Sequence, residues 1–193
     1  MILGTKKDFE DCQFQNLKHP GEDVRARSFS QCTFERCDFT ESNFTDSKFS
    51  DCKFQQCNLS LVILDGCKLQ DVQFMECKIV GVNFTKCNAL LLEINFSKCL
   101  VNDCNFSNLK LHNTSFRECT INESDFVDAD LTGSDFFKSS LKGSLFHNTN
   151  LSKVNLVDAK DFAINPLTNK LHKARLSIPE AMTLLEYLGV VIE

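Results

Sequence analysis

The chain has 193 residues, of which 42% are hydrophobic and 24% charged, a composition that is typical of a folded domain and excludes extended disorder. The 26 acidic and 21 basic residues give a net charge of −5, which argues against direct binding of nucleic acid through a basic surface. With only 7 glycines and 3 prolines, the chain is also too poor in turn-forming residues for a conventional loop-rich fold.

The N-terminal residues, MILGTKKDFED, reach a charge at the sixth position and contain no apolar stretch of the kind found in signal peptides. The longest apolar runs, such as residues 89–92, are too short to cross a bilayer. We therefore expect a cytoplasmic protein without membrane contact, whose thiols stay reduced. The 11 cysteines also fit a complete set of disulfides poorly, because their number is odd.

Between Phe9 and Leu156, with two interruptions, hydrophobic side chains recur every five residues, and 16 of the 18 phenylalanines lie on this lattice. We call each lattice residue a central position. All 11 cysteines occupy the flanking position, two residues before a central one, which elsewhere holds mostly a small or apolar residue. Five steps along a helix turn a side chain by about 140°, and a long strand needs a period of two, so neither explains the pattern. The lattice predicts three-residue extended segments that are joined by corners and wound around a core.

The cysteines also indicate how many segments make one coil. Cysteine pairs separated by 20 residues number six, whereas separations of 5, 10, 15 and 25 residues each occur three times. Examples are Cys32 with Cys52 and Cys57 with Cys77. If like residues stack on like, one coil takes four pentapeptides.

Over residues 7–159 these units resemble those of the pentapeptide-repeat family. The units that carry the resemblance are CTFER, CDFTE, SNFTD, SKFSD, CKFQQ and CNLSL at residues 32–61, and later ADLTG and SDFFK. The resemblance implies an all-β solenoid, namely a right-handed quadrilateral (four-sided) parallel β-helix of about thirty repeats with a C-terminal α-helix. We accordingly expect a β-helix domain at residues 1–161, followed by a C-terminal turn and a capping or dimerisation helix at 162–193.

Two stretches strain the lattice. Residues 17–26, LKHPGEDVRA, place His19 at a central position and Pro20 at a corner, which predicts a degenerate turn or a small surface loop. From Phe84 to Phe96 the chain takes twelve residues where the period requires ten. This two-residue insertion predicts a register break near 87–95, where the coil should kink or bulge and split into two stacked halves.

The tail, SIPEAMTLLEYLG at residues 177–189, is typical of a short helix. Ser177 and Glu180 have the spacing of a capping box, Pro179 lies in the first turn and Gly189 is placed to end the helix. The tail carries more apolar residues than one face needs, so we expect one part to cap the coil and the rest to bury against a second copy. The predicted homodimer interface is Met182, Leu184, Leu185, Leu188, Val190 and Ile192.

No residue pattern indicates catalysis or a cofactor. Cysteines on adjacent sides or stacked at strand spacing converge poorly on a tetrahedral metal, so we favour packing over metal, disulfide or redox roles. The four histidines have no nucleophile or carboxylate at a recognisable spacing, and phosphate-binding and nucleophile motifs are missing. We therefore predict no catalytic residues, no metal ligands, no cofactor and no enzymatic activity.

The resemblance extends to function, because members similar to the Qnr and MfpA group bind type II topoisomerases and protect them from quinolones. They are rod-like dimers, joined through a C-terminal helix, that imitate duplex DNA. For this chain the resemblance implies a DNA mimic that binds DNA gyrase or topoisomerase IV. The surface that would bind the topoisomerase is an acidic belt: Glu118, Glu123, Asp125, Asp128, Asp130 and Asp135. The alternative interpretation of these residues is a solvated row of polar corners. The alternative function is a general protein-interaction scaffold with another partner.

Overall fold

A computed structural model describes residues 6–18 and 20–190, which form a β-solenoid of about eight coils followed by one short helix. The strands are β1 Asp8–Glu10, β2 Gln13–Gln15, β3 Ser28–Ser30, β4 Thr33–Glu35, β5 Lys48–Ser50, β6 Lys53–Gln55, β7 Lys68–Met75, β8 Lys78–Val80, β9 Leu92–Ser97, β10 Leu100–Asn102, β11 Phe116–Arg117, β12 Asn155–Leu156 and β13 Arg175–Leu176. Three short 3₁₀ helices (Phe84–Lys86, Ala89–Leu91 and Glu180–Met182) and helix α1 (Thr183–Glu186) complete the elements.

Neighbouring coils pair in parallel, and away from the register break their offset along the chain is constant. Strand β1 pairs with β3, β3 with β5 and β5 with β7, so that Phe9, Phe29, Phe49 and Leu69 lie in one column. Isolated bridges continue the same register, including Lys18 with Asp38 and Asp23 with Asn43. His19, which we placed in a degenerate turn, lies outside the described residues. The offset confirms that one coil takes four pentapeptides.

The central residues point inward because each sits between two outward-facing residues of a short extended segment. Along a column their rings stack, with centroids 4.9 Å apart for Phe29 and Phe49 and planes inclined by 9°. Across a corner the rings meet edge to face, as for Phe29 and Phe34 at 5.4 Å and 72°. Both arrangements are favourable for aromatic quadrupoles, so the phenylalanines form one continuous core.

Each corner depends on one residue whose backbone lies in the left-handed region. This residue comes two positions after the central residue, and we call its place the corner position. Glu41 and Asp46 have φ of 59° there, and Glu118 has φ of 54°. At several corners a tight turn follows, as where the Ser42 N–H donates to the Phe39 carbonyl at 2.9 Å. Left-handed backbone is costly for most side chains, so the fold commits many polar residues to an unfavourable conformation in order to turn.

The predicted register break is present, but it does not divide the core. The offset between coils grows by two positions where β8 pairs with β10, and it returns to four pentapeptides where Leu100 meets Thr120. The 3₁₀ helix Ala89–Leu91 holds the extra chain on the outside. Inside, Phe84 still stacks on Phe106 at 4.7 Å. Of the two expected alternatives, a kink or a bulge, the insertion takes the second: it bulges outward and leaves the central residues in register, so the expected halves share one core.

The solenoid also extends beyond residue 161, where we placed its end. Strand β12 pairs with β13, and Asn150 forms a bridge with Lys170, so residues 162–176 complete a further coil. Its interior holds Phe162 and Ile164, both buried, although neither lies on the five-residue lattice. The lattice positions themselves carry Asp161 and Pro166, which is why the sequence pattern ended early.

The C-terminal segment is helical only over Glu180–Glu186 in two short pieces. Ser177 does not cap it, because its hydroxyl binds Asp158 instead, accepting the Asp158 N–H at 2.9 Å and donating to its carboxylate at 3.2 Å. The predicted capping box was therefore wrong. The helix is followed by a Schellman motif that includes Gly189 as expected: the glycine has φ of 68°, and the Val190 N–H donates to the Leu185 carbonyl.

Candidate functional site

The acidic belt encircles one coil of the solenoid. Glu118, Glu123 and Asp128 occupy three successive corner positions, with φ between 52° and 58°, and all three are exposed. Gly133 occupies the next corner position, so that corner carries no charge. Because the three carboxylates point away from different corners, a partner that approaches from one side meets only part of the belt.

The other three belt residues lie between the corners and serve the backbone. The Oδ1 atoms of Asp125, Asp130 and Asp135 each accept the N–H of the residue two positions later, at 2.9 to 3.0 Å. Asparagine does the same elsewhere, as where Asn43 accepts the Thr45 N–H at 2.9 Å. Such Asx-type bonds fix the exit from an extended segment, so these carboxylates have a structural role besides any contact they make.

A histidine and an arginine of the preceding coil pair with two belt carboxylates. His112 Nε2 lies 3.0 Å from Asp130, and Arg117 pairs with Asp135. Burial opposes ionisation of Asp130, but hydrogen bonds from Thr132 and His112 outweigh it and lower its pKa to about 2. The charge available to a partner is therefore concentrated on the belt residues that lack such partners, chiefly those at the corners.

Sequence reasoning missed the pairing of His112 with Asp130 because it searched for partners at short spacings. The two residues are far apart in the chain but adjacent in space, since each coil takes four pentapeptides. The sequence written in rows of four pentapeptides brings such pairs together. The same arrangement would have revealed Arg117 beside Asp135.

The predicted dimer residues fall into an inward and an outward group. Leu184 packs against the core and, with Met182 and Leu185, is partly buried. Leu188 and Val190 are 52% and 49% exposed, and Ile192 lies outside the described residues. Three exposed apolar residues at this end were not predicted, namely Leu167, Ile178 and Tyr187. The structure therefore assigns the inward group to capping and leaves an apolar outer surface beside it.

The cysteines are free thiols that line the interior of the coil, as the packing interpretation predicts. They do more than fill space. Cys57 Sγ donates to the Phe34 carbonyl at 3.3 Å and accepts the Cys37 N–H at 3.4 Å. Burial raises the pKa of Cys52 to about 11 and the pKa values of Cys67 and Cys104 to about 12, which makes these thiols unreactive at neutral pH.

Within residues 6–18 and 20–190, no group of three or more His, Cys, Asp or Glu side chains is arranged to hold a metal ion. No helix in the same part of the chain is long and apolar enough to cross a membrane.

Comparison with known proteins gives consistent matches. A family profile described as "Pentapeptide repeat region" matches residues 27–90 and 82–156, which is more than half of the chain. A trypsin-treated variant of QnrB1, a plasmid-mediated fluoroquinolone resistance protein, superposes with a TM-score of 0.61 at 18% identity, over 97% of this chain and 98% of that one. Full-length QnrB1 gives a TM-score of 0.54 at 16% identity, over 95% and 100%.

A second solved protein shares the architecture. HetL from the cyanobacterium Nostoc sp. strain PCC 7120, a pentapeptide repeat protein involved in heterocyst differentiation regulation, gives a TM-score of 0.52 at 15% identity, over 88% of this chain and 84% of that one. Identities this low establish the fold and not the activity. Among curated proteins the search finds no match.

Proposed function

Because the chain belongs to the pentapeptide-repeat family, we propose that it is a non-enzymatic protein-binding module that acts through the outside of its coil. The interior supports this assignment, because stacked phenylalanines and buried thiols fill it and leave no room for a substrate. The outside is built from short segments whose polar residues alternate with buried ones. Solenoids of this kind present extended surfaces that suit binding to another macromolecule.

The specific function that we propose is that of a Qnr-like DNA mimic, which binds DNA gyrase or topoisomerase IV and protects it from quinolones. The supporting observation is that QnrB1 and this chain match over nearly their whole lengths. About eight coils at a strand spacing of about 4.8 Å give a rod of roughly 38 Å, and two rods joined end to end would be twice as long. The exposed carboxylates of the acidic belt would take the place of phosphates.

The decisive experiment is a supercoiling assay with purified gyrase, with and without ciprofloxacin. The test variant replaces the three exposed corner acids of the belt: Glu118→Gln, Glu123→Gln and Asp128→Asn. A matched control makes three similar replacements at exposed corners elsewhere, Asp11→Asn, Asp51→Asn and Asp71→Asn, so that both variants lose the same charge. We expect the wild type and the control to protect gyrase and the belt variant to lose at least tenfold in potency.

The alternative is an interaction scaffold with another partner, as the HetL likeness allows. The pairing of Asp135 with Arg117 favours it, because a mimic of phosphates gains nothing from a neutralised carboxylate. If the purified wild type neither inhibits nor protects gyrase, the mimic hypothesis is wrong and the scaffold hypothesis remains. Equal potency of the belt variant and the control would leave gyrase binding in place but show that the three corner acids of the belt do not contribute to it.

We also propose that the chain forms a homodimer through its C-terminal end. Leu188 and Val190 support this, because they leave a large apolar surface next to the capping residues. Replacing both by aspartate should give a monomer in light scattering with unchanged far-UV circular dichroism. A wild type that is already monomeric at micromolar concentration would show that no such dimer forms.

A further inference from the structure

Charge is distributed unevenly along the solenoid. Residues 118–135, which carry the acidic belt, contain six acids and no base. Residues 136–190, which follow them, contain seven bases and four acids. The sequence argument against nucleic-acid binding used the net charge of −5 of the whole chain, and that single number conceals the reversal. The last coils of this acidic protein therefore have a positive surface of their own.

The bases collect at one corner of the last two coils. Lys153 and Lys173 occupy successive corner positions there, with φ of 60° and 57°. The Lys153 N–H donates to the His172 carbonyl at 2.8 Å, so the backbones of the two lysines stack at the strand spacing of about 4.8 Å. Lys170 and Arg175 lie on the same coil as Lys173, on either side of the corner. We call these four residues the basic corner: Lys153, Lys170, Lys173 and Arg175.

The backbone of the basic corner is fixed to the preceding coil. The Lys170 N–H donates to the Thr149 carbonyl at 3.0 Å, and the Arg175 N–H donates to the Val154 carbonyl at 2.9 Å. Leu171 packs against the core between them. All four cationic side chains are exposed, and none of them forms an ion pair with an acid of the described chain. Stacked like charges repel one another, so a bound polyanion relieves an unfavourable arrangement.

Nearby acids do not cancel the charge of the basic corner. Each of the three acids that flank it lies beside a side chain that can carry positive charge: Asp130 beside His112, Asp135 beside Arg117 and Asp158 one coil from Lys138. Residues 162–179, which include the last coil, contain no acid. Helix α1 adds a single acid, Glu186, at this end of the solenoid. The four cations therefore remain in excess.

The side chains around these cations favour a phosphate backbone as the bound anion. Every exposed residue within residues 170–175 is a lysine, an arginine or a histidine, and no exposed apolar residue lies among them. Protein interfaces have an apolar centre, whereas phosphates and sugars are contacted by basic and small polar side chains. Duplex DNA also carries one charge per about 1.7 Å, roughly twice the density of an extended acidic peptide.

We propose that the basic corner binds the phosphate backbone of duplex DNA without regard to base sequence. The four cations contact phosphates, and Ser152 and His172 donate hydrogen bonds to phosphate or sugar oxygens between them. The contact is independent of sequence because a convex corner presents charge to the backbone and places no side chain in a groove. This activity goes beyond the proposed function, because the basic corner shares no residue with the acidic belt or with the proposed dimer surface.

The test is an anisotropy titration of a fluorescently labelled duplex of about 30 base pairs with the purified protein, at salt concentrations between about 50 and 200 mM. The test variant carries Lys153→Gln, Lys170→Gln, Lys173→Gln and Arg175→Gln. The control carries Lys48→Gln, Lys53→Gln, Lys68→Gln and Lys78→Gln, which are exposed lysines of earlier coils, so both variants lose the same charge. Circular dichroism first shows that both variants fold.

We expect the wild type and the control to bind the duplex with a dissociation constant of about 10⁻⁵ M at the lowest salt, within twofold of each other. If all four cations contact phosphates, the logarithm of the wild-type affinity falls with the logarithm of the salt concentration with a slope of about −3.6. The basic-corner variant should bind at least tenfold more weakly at the lowest salt, with a slope close to zero.

Three results would overturn the proposal: no binding by the wild type at the lowest salt, an equal loss of affinity in the two variants, or displacement of the DNA by poly-glutamate at an equal concentration of charge. The last result would show that the basic corner binds acidic chains in general. Light scattering of the protein alone adds a fourth, namely self-association at low salt that the basic-corner variant abolishes, because the acidic belt of a second copy would then occupy the corner. The titration contains no topoisomerase, so its failure leaves the DNA-mimic hypothesis intact, and the failure of that hypothesis leaves this one intact.

Discussion

The two ends of the solenoid build the same coil from different residues at the flanking positions. Up to residue 119 these positions are rich in cysteine, and beyond it they are Ser, Ala, Thr or Val. Cys52 Sγ donates to the Phe29 carbonyl of the preceding coil, at 3.5 Å. Ser134 Oγ donates to the Leu111 carbonyl at the same spacing along the chain, at 2.6 Å. The position therefore accepts a small side chain, and where that side chain is a thiol or a hydroxyl it can bond the preceding coil.

The cores of the two regions differ in a second way. Six consecutive central positions from residue 29 to 54 hold phenylalanine, so all four sides of the early coils contribute rings. From residue 96 to 146 phenylalanine alternates with Val, Leu or Ile. There Phe106 meets Phe116 edge to face at 5.7 Å, although the two belong to opposite sides of the coil. Two rings and two aliphatic side chains thus fill the same interior as four rings, which shows that the coil fixes volume and not residue type.

Alkaline pH should produce the largest difference between the two regions. Burial raises the pKa values of Cys52, Cys67 and Cys104 above the value of about 8.5 for an unfolded thiol. The folded state therefore holds these protons more tightly. Its stability is complete below about pH 8.5 and is lost as the pH rises through about 11 to 12, where the folded thiols ionise. The serine-rich region has no such groups.

Urea unfolding monitored by circular dichroism between pH 7 and pH 11 measures this effect. The control variant carries Cys52→Ser, Cys67→Ser and Cys104→Ser, and it should lose less stability than the wild type over the same range. Hydrogen exchange at pH 10 should show the cysteine-rich coils opening before the serine-rich ones. An identical pH dependence of the wild type and the control would contradict the assignment to the thiols.

Substitutions at Cys57 test whether the hydrogen bonds matter beyond the space that the side chain fills. Cys57→Val keeps a side chain that other flanking positions accept, but leaves the Cys37 N–H without its acceptor. We expect a loss of about 1–3 kcal/mol in the free energy of unfolding. Cys57→Ser restores a donor and an acceptor, so it should stay within about 1 kcal/mol of the wild type. Urea titration of both variants decides the point, and a valine variant as stable as the serine variant would show that size alone is selected.

The sequence predicted those parts of the fold that depend on repetition, for a physical reason. Each central residue stacks on a like residue one coil away, so Phe29 above Phe49 appears in the chain as a period. Where a side chain fills the interior from outside the central and flanking positions, the period does not predict it, as with Phe162. The period also does not predict contacts between coils that involve residues outside the lattice. Ser177 binds Asp158 in place of its own helix because the last coil brings the two together.

The candidate site was harder to predict than the fold. The charges of the acidic belt can be read from the sequence, but which of them are neutralised depends on the preceding coil, as with Asp135 and Arg117. The outward direction of Leu90 depends on how the insertion is accommodated, which a change of period does not reveal. The charge and direction of a surface side chain in a solenoid thus depend on residues one coil away, which are distant in the sequence.

The smallest effect that we predict concerns Asp130 and acid pH in the serine-rich region. Hydrogen bonds from Thr132 and His112, acting against burial, hold the pKa of Asp130 at about 2, below the ordinary value of 3.8. The stability that this carboxylate provides is therefore present above about pH 3.8 and is lost as the pH falls through about 2. The effect is small because the side chain is 35% exposed and solvent screens it.

Carbon-detected NMR titration of the Asp130 carboxyl group measures this pKa directly. Thr132→Val removes the hydroxyl that donates to Asp130 Oδ1 at 2.6 Å, so the pKa should rise toward its ordinary value. His112→Ala should raise it as well, and the melting temperature of either variant should fall by only a few degrees at pH 4. If neither variant moves the pKa, the carboxylate is held by its backbone bond alone. Asp130 would then be no different from Asp125, and its charge would be as available to a partner as the charge at the corners.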